Sequence, residues 1–120
     1  MSLDRFPPGG SAVGVGTTEP RDLALRMAAN APEAAALLKA LSHEGRLMIL
    51  CHLAGGEKSV TELEALLGQR QAAVSQQLAR LRLEGLVSTR RDGKAIFYAV
   101  QDDRVLTLLR LMPGLFAKAG

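Results

Sequence analysis

Ser75, Gln76, Gln77, Arg80 and Arg82 fall close together in the chain, and Arg90, Arg91 and Lys94 crowd a short segment that follows. A glutamine carboxamide offers a donor beside an acceptor, which suits the edge of an adenine. An arginine suits a guanine edge or a phosphate. Ala72, Ser75 and Ala79 are small, so a helix carrying them can approach the floor of a major groove about 12 Å wide. This is hydrogen-bonding chemistry toward a polyanion. No paired carboxylates, nucleophile–base pair or phosphate cradle suggests bond-making chemistry, so an enzyme is not expected.

These side chains need elements to hold them. Ser59-Val60-Thr61-Glu62 matches a capping box, in which the serine oxygen accepts from the amide three residues on and the glutamate reaches back. It opens a short helix whose Leu63, Leu66 and Leu67 face inward until Gly68 stops it. A second helix spans about 72–84, with Val74, Leu78 and Leu81 on one side. Ala72, Ser75, Gln76, Ala79 and Arg80 fall on the other, and Leu83 also points outward without an evident reason. Gly85 ends that helix. Asp92-Gly93 then signals a tight two-residue turn between two strands, the second of which contains Ile96, Phe97, Tyr98 and Val100. The order of parts is a helix-turn-helix followed by a two-strand basic wing.

Composition agrees with that architecture. Apolar residues make up 48% and charged residues 22%, enough for one globular domain at 120 residues. Aromatics are only 3%, so the core must be aliphatic, which favours helices. Residues 70–100 hold six basic residues against two acidic ones, whereas residues 1–69 hold six against eight. The positive charge is therefore concentrated where a polyanion would be met. No apolar run reaches the roughly 18 residues needed to span a bilayer, and the N-terminus lacks a secretory pattern, so a cytoplasmic location is expected.

Residues 1–20, rich in Gly, Pro, Ser and Thr, are expected to form a disordered arm ahead of a domain over 21–118. Helices are expected from Pro20 to about Ala29, from Pro32 to Leu41, and over 44–54. The third is apolar nearly all round, which predicts burial at the centre of the core. Gly45 lies near its start, an unfavourable place for glycine. A last helix runs from about Asp103 to Met112, where Pro113-Gly114 should break or kink it. The fold class is mainly α with a β-hairpin wing.

Two stretches resemble one family. Ala40-Leu41-Ser42-His43-Glu44-Gly45-Arg46-Leu47-Met48-Ile49-Leu50 is similar to the opening motif of ArsR/SmtB-type bacterial repressors. Ala73-Val74-Ser75-Gln76-Gln77-Leu78-Ala79-Arg80-Leu81-Arg82 resembles their recognition helix, and Glu84-Gly85-Leu86-Val87 with the arginine-rich wing continues the match. The resemblance covers about residues 30–112. It implies a homodimeric winged-helix regulator that occludes a promoter, with the first and last helices forming the dimer interface. Two copies would place their recognition helices about one DNA turn apart, roughly 34 Å, so an inverted-repeat operator is expected. The DNA-contacting set so implied is Arg70, Gln71, Ala72, Ser75, Gln76, Gln77, Arg80, Arg90, Arg91 and Lys94.

Three positions depart from the family pattern. Arg70 stands where a serine commonly caps the recognition helix, Ala72 where a second serine is frequent, and Gln77 where histidine is frequent. Without a side-chain oxygen, Arg70 leaves out a cap worth about 1 kcal/mol. A winged-helix protein-interaction module is the rival reading, and the local basic excess weighs against it.

The sensing options are narrower. His43, His52 and Cys51 are the only imidazole and thiol groups, against the four such ligands a structural zinc usually takes, so no metal or other cofactor is expected. His43 fits a capping or surface role, and His52 a solvent-facing or helix-seam position. Leu50-Cys51-His52-Leu53 resembles the thiol-responsive BigR/SqrR-like branch, where a second cysteine lies near the end of the last helix. Here that place falls near Ala117, and Cys51 is the only cysteine in the chain. An intramolecular bridge is therefore impossible. A response through the single thiol is the remaining alternative, but Cys51 shares a side with Leu47 and Leu50 and is expected to be a buried, inert core residue.

Overall fold

The computed structural model describes residues 20–117, so all but the last residue of the expected N-terminal arm lies outside the described residues. The described residues divide into two compact units between Ala36 and Leu37. In the first, helix α1 (Pro20–Ala28) leads through a turn, closed by the Asn30 amide donating to the Met27 carbonyl, into the start of α2 (Ala31–Leu41), whose residues from Leu37 on belong to the second unit.

The second unit carries the rest: α3 (Glu44–Ala54), β1 (Lys58–Ser59), α4 (Val60–Leu67), α5 (Gln71–Leu83), β2 (Val87–Asp92), β3 (Ala95–Val100) and α6 (Asp103–Phe116). Its core is aliphatic, as the composition requires. Ile49 and Leu50 of α3, Leu63 of α4, Val74, Leu78 and Leu81 of α5 and Val105 of α6 are all completely buried. Each such side chain removed from water contributes about 1.5–3 kcal/mol. α3 is central, touching α4, α5, α6 and β3.

Side chains close the helix ends. His43 is the N-cap of α3, its Nδ1 accepting from the Gly45 amide at 3.0 Å and more weakly from that of Arg46 at 3.4 Å. Ser59 and Glu62 form the full capping box of α4, and Gly68 ends that helix at φ 66°, a left-handed backbone that suits glycine. Asp102 caps α6, accepting from the Arg104 amide. Arg46 Nε donates to the Ala40 carbonyl at 2.8 Å, satisfying an otherwise orphaned carbonyl in the last turn of α2.

Several expectations need correction. α3 is not buried all round: Glu44, Met48, Cys51 and Ala54 form an exposed stripe. Three of those four side chains are apolar or weakly polar, so the stripe is invisible to a count of hydrophobic residues. The sheet has three strands in the order β1-β3-β2, because Lys58 and Ser59 pair with Tyr98 and Phe97. A two-residue strand is too short to show alternation. The turn also sits one residue later than expected. Asp92 pairs with Ala95, leaving Gly93 and Lys94 as its central residues, and Gly93 takes the positive φ of 64° at the first of them. Finally, α6 continues through Pro113 to Phe116. The proline ring's fixed φ is itself helical, so its cost is confined to one missing amide and local crowding.

Candidate nucleic-acid interface

α5 is fixed by its inner face. With Val74, Leu78 and Leu81 buried, the opposite face must point away from the core, and Gln71, Ala72, Ser75, Gln76, Ala79 and Arg80 are all exposed there. The alanines and the serine keep this surface low, so Gln76 and Arg80 stand above it. Arg80 pairs with Glu84 one turn along at 2.8 Å. An exposed i,i+4 pair of this kind is worth only a few tenths of a kcal/mol, so its guanidinium can exchange the carboxylate for another anion at little cost. Leu83 is 85% exposed, and nothing in the structure explains it.

The entry to α5 is open. Arg70 occupies its N-cap position with extended backbone and makes no capping hydrogen bond from its side chain. The missing cap follows directly from the residue type.

Gln77 behaves differently from its neighbours. It is half-buried, and its carboxamide lies over Gly45 in the first turn of α3. A Cβ at Gly45 would fall 2.5 Å from Gln77 Oε1 and 2.7 Å from Nε2. Gln77 Oε1 is also buried without a hydrogen-bond partner. Beside it lies an open cavity of about 620 Å³ whose walls include His43, His52, Met48, Leu66 and Gln69.

In the wing, Arg91 and Lys94 are exposed at and beside the turn. Arg90 is tethered. Its guanidinium makes a two-pronged bond to Glu57, with Nη2 donating to Oε1 and Nε donating to Oε2 at 3.2 Å, and it stacks 4.9 Å from the centre of the Phe97 ring. Arg90 and Phe97 are register partners across β2 and β3. The hydrogen bond from Arg90 holds the Glu57 carboxyl below the ordinary carboxylate range. Arg90 thus arrives with a counterion, whereas Arg91 and Lys94 have none within salt-bridge distance among the described residues. Sequence reasoning missed Glu57, Phe97 and Gly45. The unfavourable glycine near the start of α3 was a usable signal for the last of these.

Cys51 is exposed rather than buried, on the α3 stripe with Met48. Partial desolvation still raises its thiol pKa above the ordinary value, disfavouring the reactive thiolate. His43 takes the capping role that its place in the chain suggested. No cluster of three or more His, Cys, Asp or Glu side chains among the described residues could hold a metal ion.

A helix-turn-helix with an outward polar face, joined to a basic hairpin, defines a winged helix-turn-helix protein. The model of the bacterial regulatory protein arsR family matches residues 43–89. The biofilm growth-associated repressor of Agrobacterium fabrum is 49% identical over 75% of this chain and 77% of its own. The crystal structure of the transcriptional repressor BigR from Xylella fastidiosa superposes with a TM-score of 0.75 at 44% identity, over 78% of this chain and 96% of that one. The homodimeric winged helix-turn-helix DNA-binding domain of Mb0332 from Mycobacterium bovis, solved by NMR, superposes with a TM-score of 0.64 at 33% identity, over 75% and 83%. The chain belongs to the arsR family of bacterial regulatory proteins. It is a DNA-binding transcriptional regulator and not an enzyme.

Proposed function

We propose that this regulator acts in the cytoplasm as a homodimer, lays α5 of each copy in the major groove of an inverted-repeat operator, and represses by occluding the promoter. The observation that carries this reading is the outward face of α5, where Ser75, Gln76 and Arg80 are exposed opposite a fully buried Val74-Leu78-Leu81 face. Arg70, Gln71 and Ala72 flank that face at its entry. Arg91 and Lys94 grip phosphates beside the groove, and Arg90 joins them by exchanging Glu57 for a phosphate. A second copy covers the apolar surface that α6 leaves open, where Leu111, Leu115 and Phe116 are exposed. The biofilm growth-associated repressor and BigR support repression, while the relatives also include a transcriptional activator, HlyU of Vibrio cholerae, so the sign rests on the reporter test below.

The test is selection of DNA by the purified protein, followed by titrations at several salt concentrations. An inverted repeat is expected. Removing Arg91 or Lys94 should weaken binding to all sequences and reduce the salt slope by about 0.9 for each phosphate no longer neutralised. Gln76→Ala should change the preference between sequences, and an unchanged preference would remove Gln76 from the base-reading set. A promoter reporter that rises with added protein would reverse the assigned sign.

Cys51 acts in this reading as an inert surface thiol, supported by its raised pKa and by the lack of a second cysteine in the chain. DNA affinity should stay constant through an oxidant titration. A large reversible loss that disappears in Cys51→Ala would make the single thiol a sensor.

A further inference from the structure

We infer that Gln77 is a positioning residue rather than a base reader, and that Gly45 is its seat: together they set the roll of α5 against α3. This rests on α5 being the helix that meets DNA. The carboxamide of Gln77 occupies the space that any side chain at position 45 would need, with both terminal atoms and Cδ within 3 Å of a would-be Cβ. Gln77 therefore leaves the row of Gln76 and Arg80 and turns into the seam between the two helices. Its Oε1 is buried with no partner, so the contact is made through shape and not through hydrogen bonding. An apolar side chain of equal length serves the same purpose, because replacing an unsatisfied buried oxygen removes a desolvation cost.

The geometry also explains why the first turn of α3 tolerates a glycine, which costs about 1 kcal/mol relative to alanine inside a helix. His43, two residues before, caps that turn and holds its backbone in place. Lateral movement of Gln77 is not blocked, since the cavity of about 620 Å³ lies beside it. A Cβ at position 45 would therefore displace the flexible carboxamide toward that space without unfolding the chain. The seam contact that fixes the roll of α5 would then be lost, as in Gln77→Ala, while its buried Val74, Leu78 and Leu81 remain in the core.

The experiment compares Gln77→Ala, Gln77→Met, Gly45→Ala and the double variant Gly45→Ala/Gln77→Ala. Each is measured for thermal stability and for affinity to a panel of operators carrying every single-base change in one half-site. Wild-type protein with no selectivity on that panel would sink the DNA-reading assignment of α5 itself, a distinct failure. With wild-type selectivity in hand, Gln77→Ala and Gly45→Ala are each expected to lower operator affinity about tenfold and flatten the preference across the whole half-site, with scrambled DNA bound almost as before. Gln77→Met should restore the wild-type profile. Gly45→Ala should keep or raise the melting temperature while losing selectivity, which a merely structural role would not produce. The double variant should be no worse than either single one, as expected for one shared contact. Loss of preference at a single base pair in both Gln77→Ala and Gln77→Met, with Gly45→Ala unchanged, would overturn the inference and make Gln77 a base contact. Strictly additive effects of the two sites would overturn it as well.

Discussion

α4 and α5 are consecutive helices of one motif, yet they are held in place by opposite means. α4 carries its own instructions, with a complete capping box at Ser59 and Glu62 and a left-handed stop at Gly68. α5 begins at Arg70 with no side-chain cap, although α3 and α6 are capped by His43 and Asp102. It is placed from outside, by Val74, Leu78 and Leu81 in the core and by the lodging of Gln77 over Gly45. The contrast shows a division of labour. The supporting helix is specified locally, while the helix proposed to meet DNA is specified by tertiary packing, which leaves its outward face free for another partner.

The strongest challenge to this contrast is truncation of the packing side. Leu78→Ala should cost about 2–5 kcal/mol in urea unfolding, because it opens a cavity at a completely buried position. A loss below about 1 kcal/mol would mean that α5 is not held by its core face. Next comes the local side. Ser59→Ala should cost about 1 kcal/mol, and Glu62→Ala should lose part of the same amount, since both belong to one box. Supplying α5 with the missing cap should have a smaller effect of opposite sign. Arg70→Ser is expected to stabilise the fold by up to about 1 kcal/mol in thermal melts while weakening DNA binding through its missing charge. No gain in stability would show that packing already satisfies the entry to α5.

The smallest effect is a pH dependence at the cap of α6. Hydrogen bonds from Arg104 lower the Asp102 pKa below its unfolded value. A depressed carboxylate contributes stability that is fully present above its unfolded pKa, near 4, and is lost as pH falls through the folded one. Acid titration of stability below about pH 5 should therefore be shallower in Asp102→Asn than in the wild type, with the two curves parallel at neutral pH. Identical acid slopes would show that Asp102 is not the titrating group.

The parts legible in the sequence are those with local signals. Ser59 to Glu62, Gly68 and the Val74-Leu78-Leu81 spacing each state their structure within a few residues. The capping role of His43 is equally local. What was illegible depends on contacts between distant segments. Lys58 and Ser59 become a strand only because Tyr98 and Phe97 lie alongside. The turn shifts to Gly93-Lys94 because the pairing of Asp92 with Ala95 fixes the register. Gln77 cannot be separated from Gln76 by residue type; only the glycine across the helix seam distinguishes them. Cys51 lies on the exposed side of an apolar helix because the neighbours of α3 approach from elsewhere.

Ser59 has one further consequence. It caps α4 and also pairs with Phe97, whose ring lies beneath Arg90, which is in turn bound to Glu57. Fraying of the third strand would thus uncap the first helix of the motif, and loosening of that helix would release the strand. Ser59 thus ties the hairpin to the helix-turn-helix, and their amides are expected to exchange with solvent through a shared opening rather than as two independent parts, which hydrogen-exchange measurements would check.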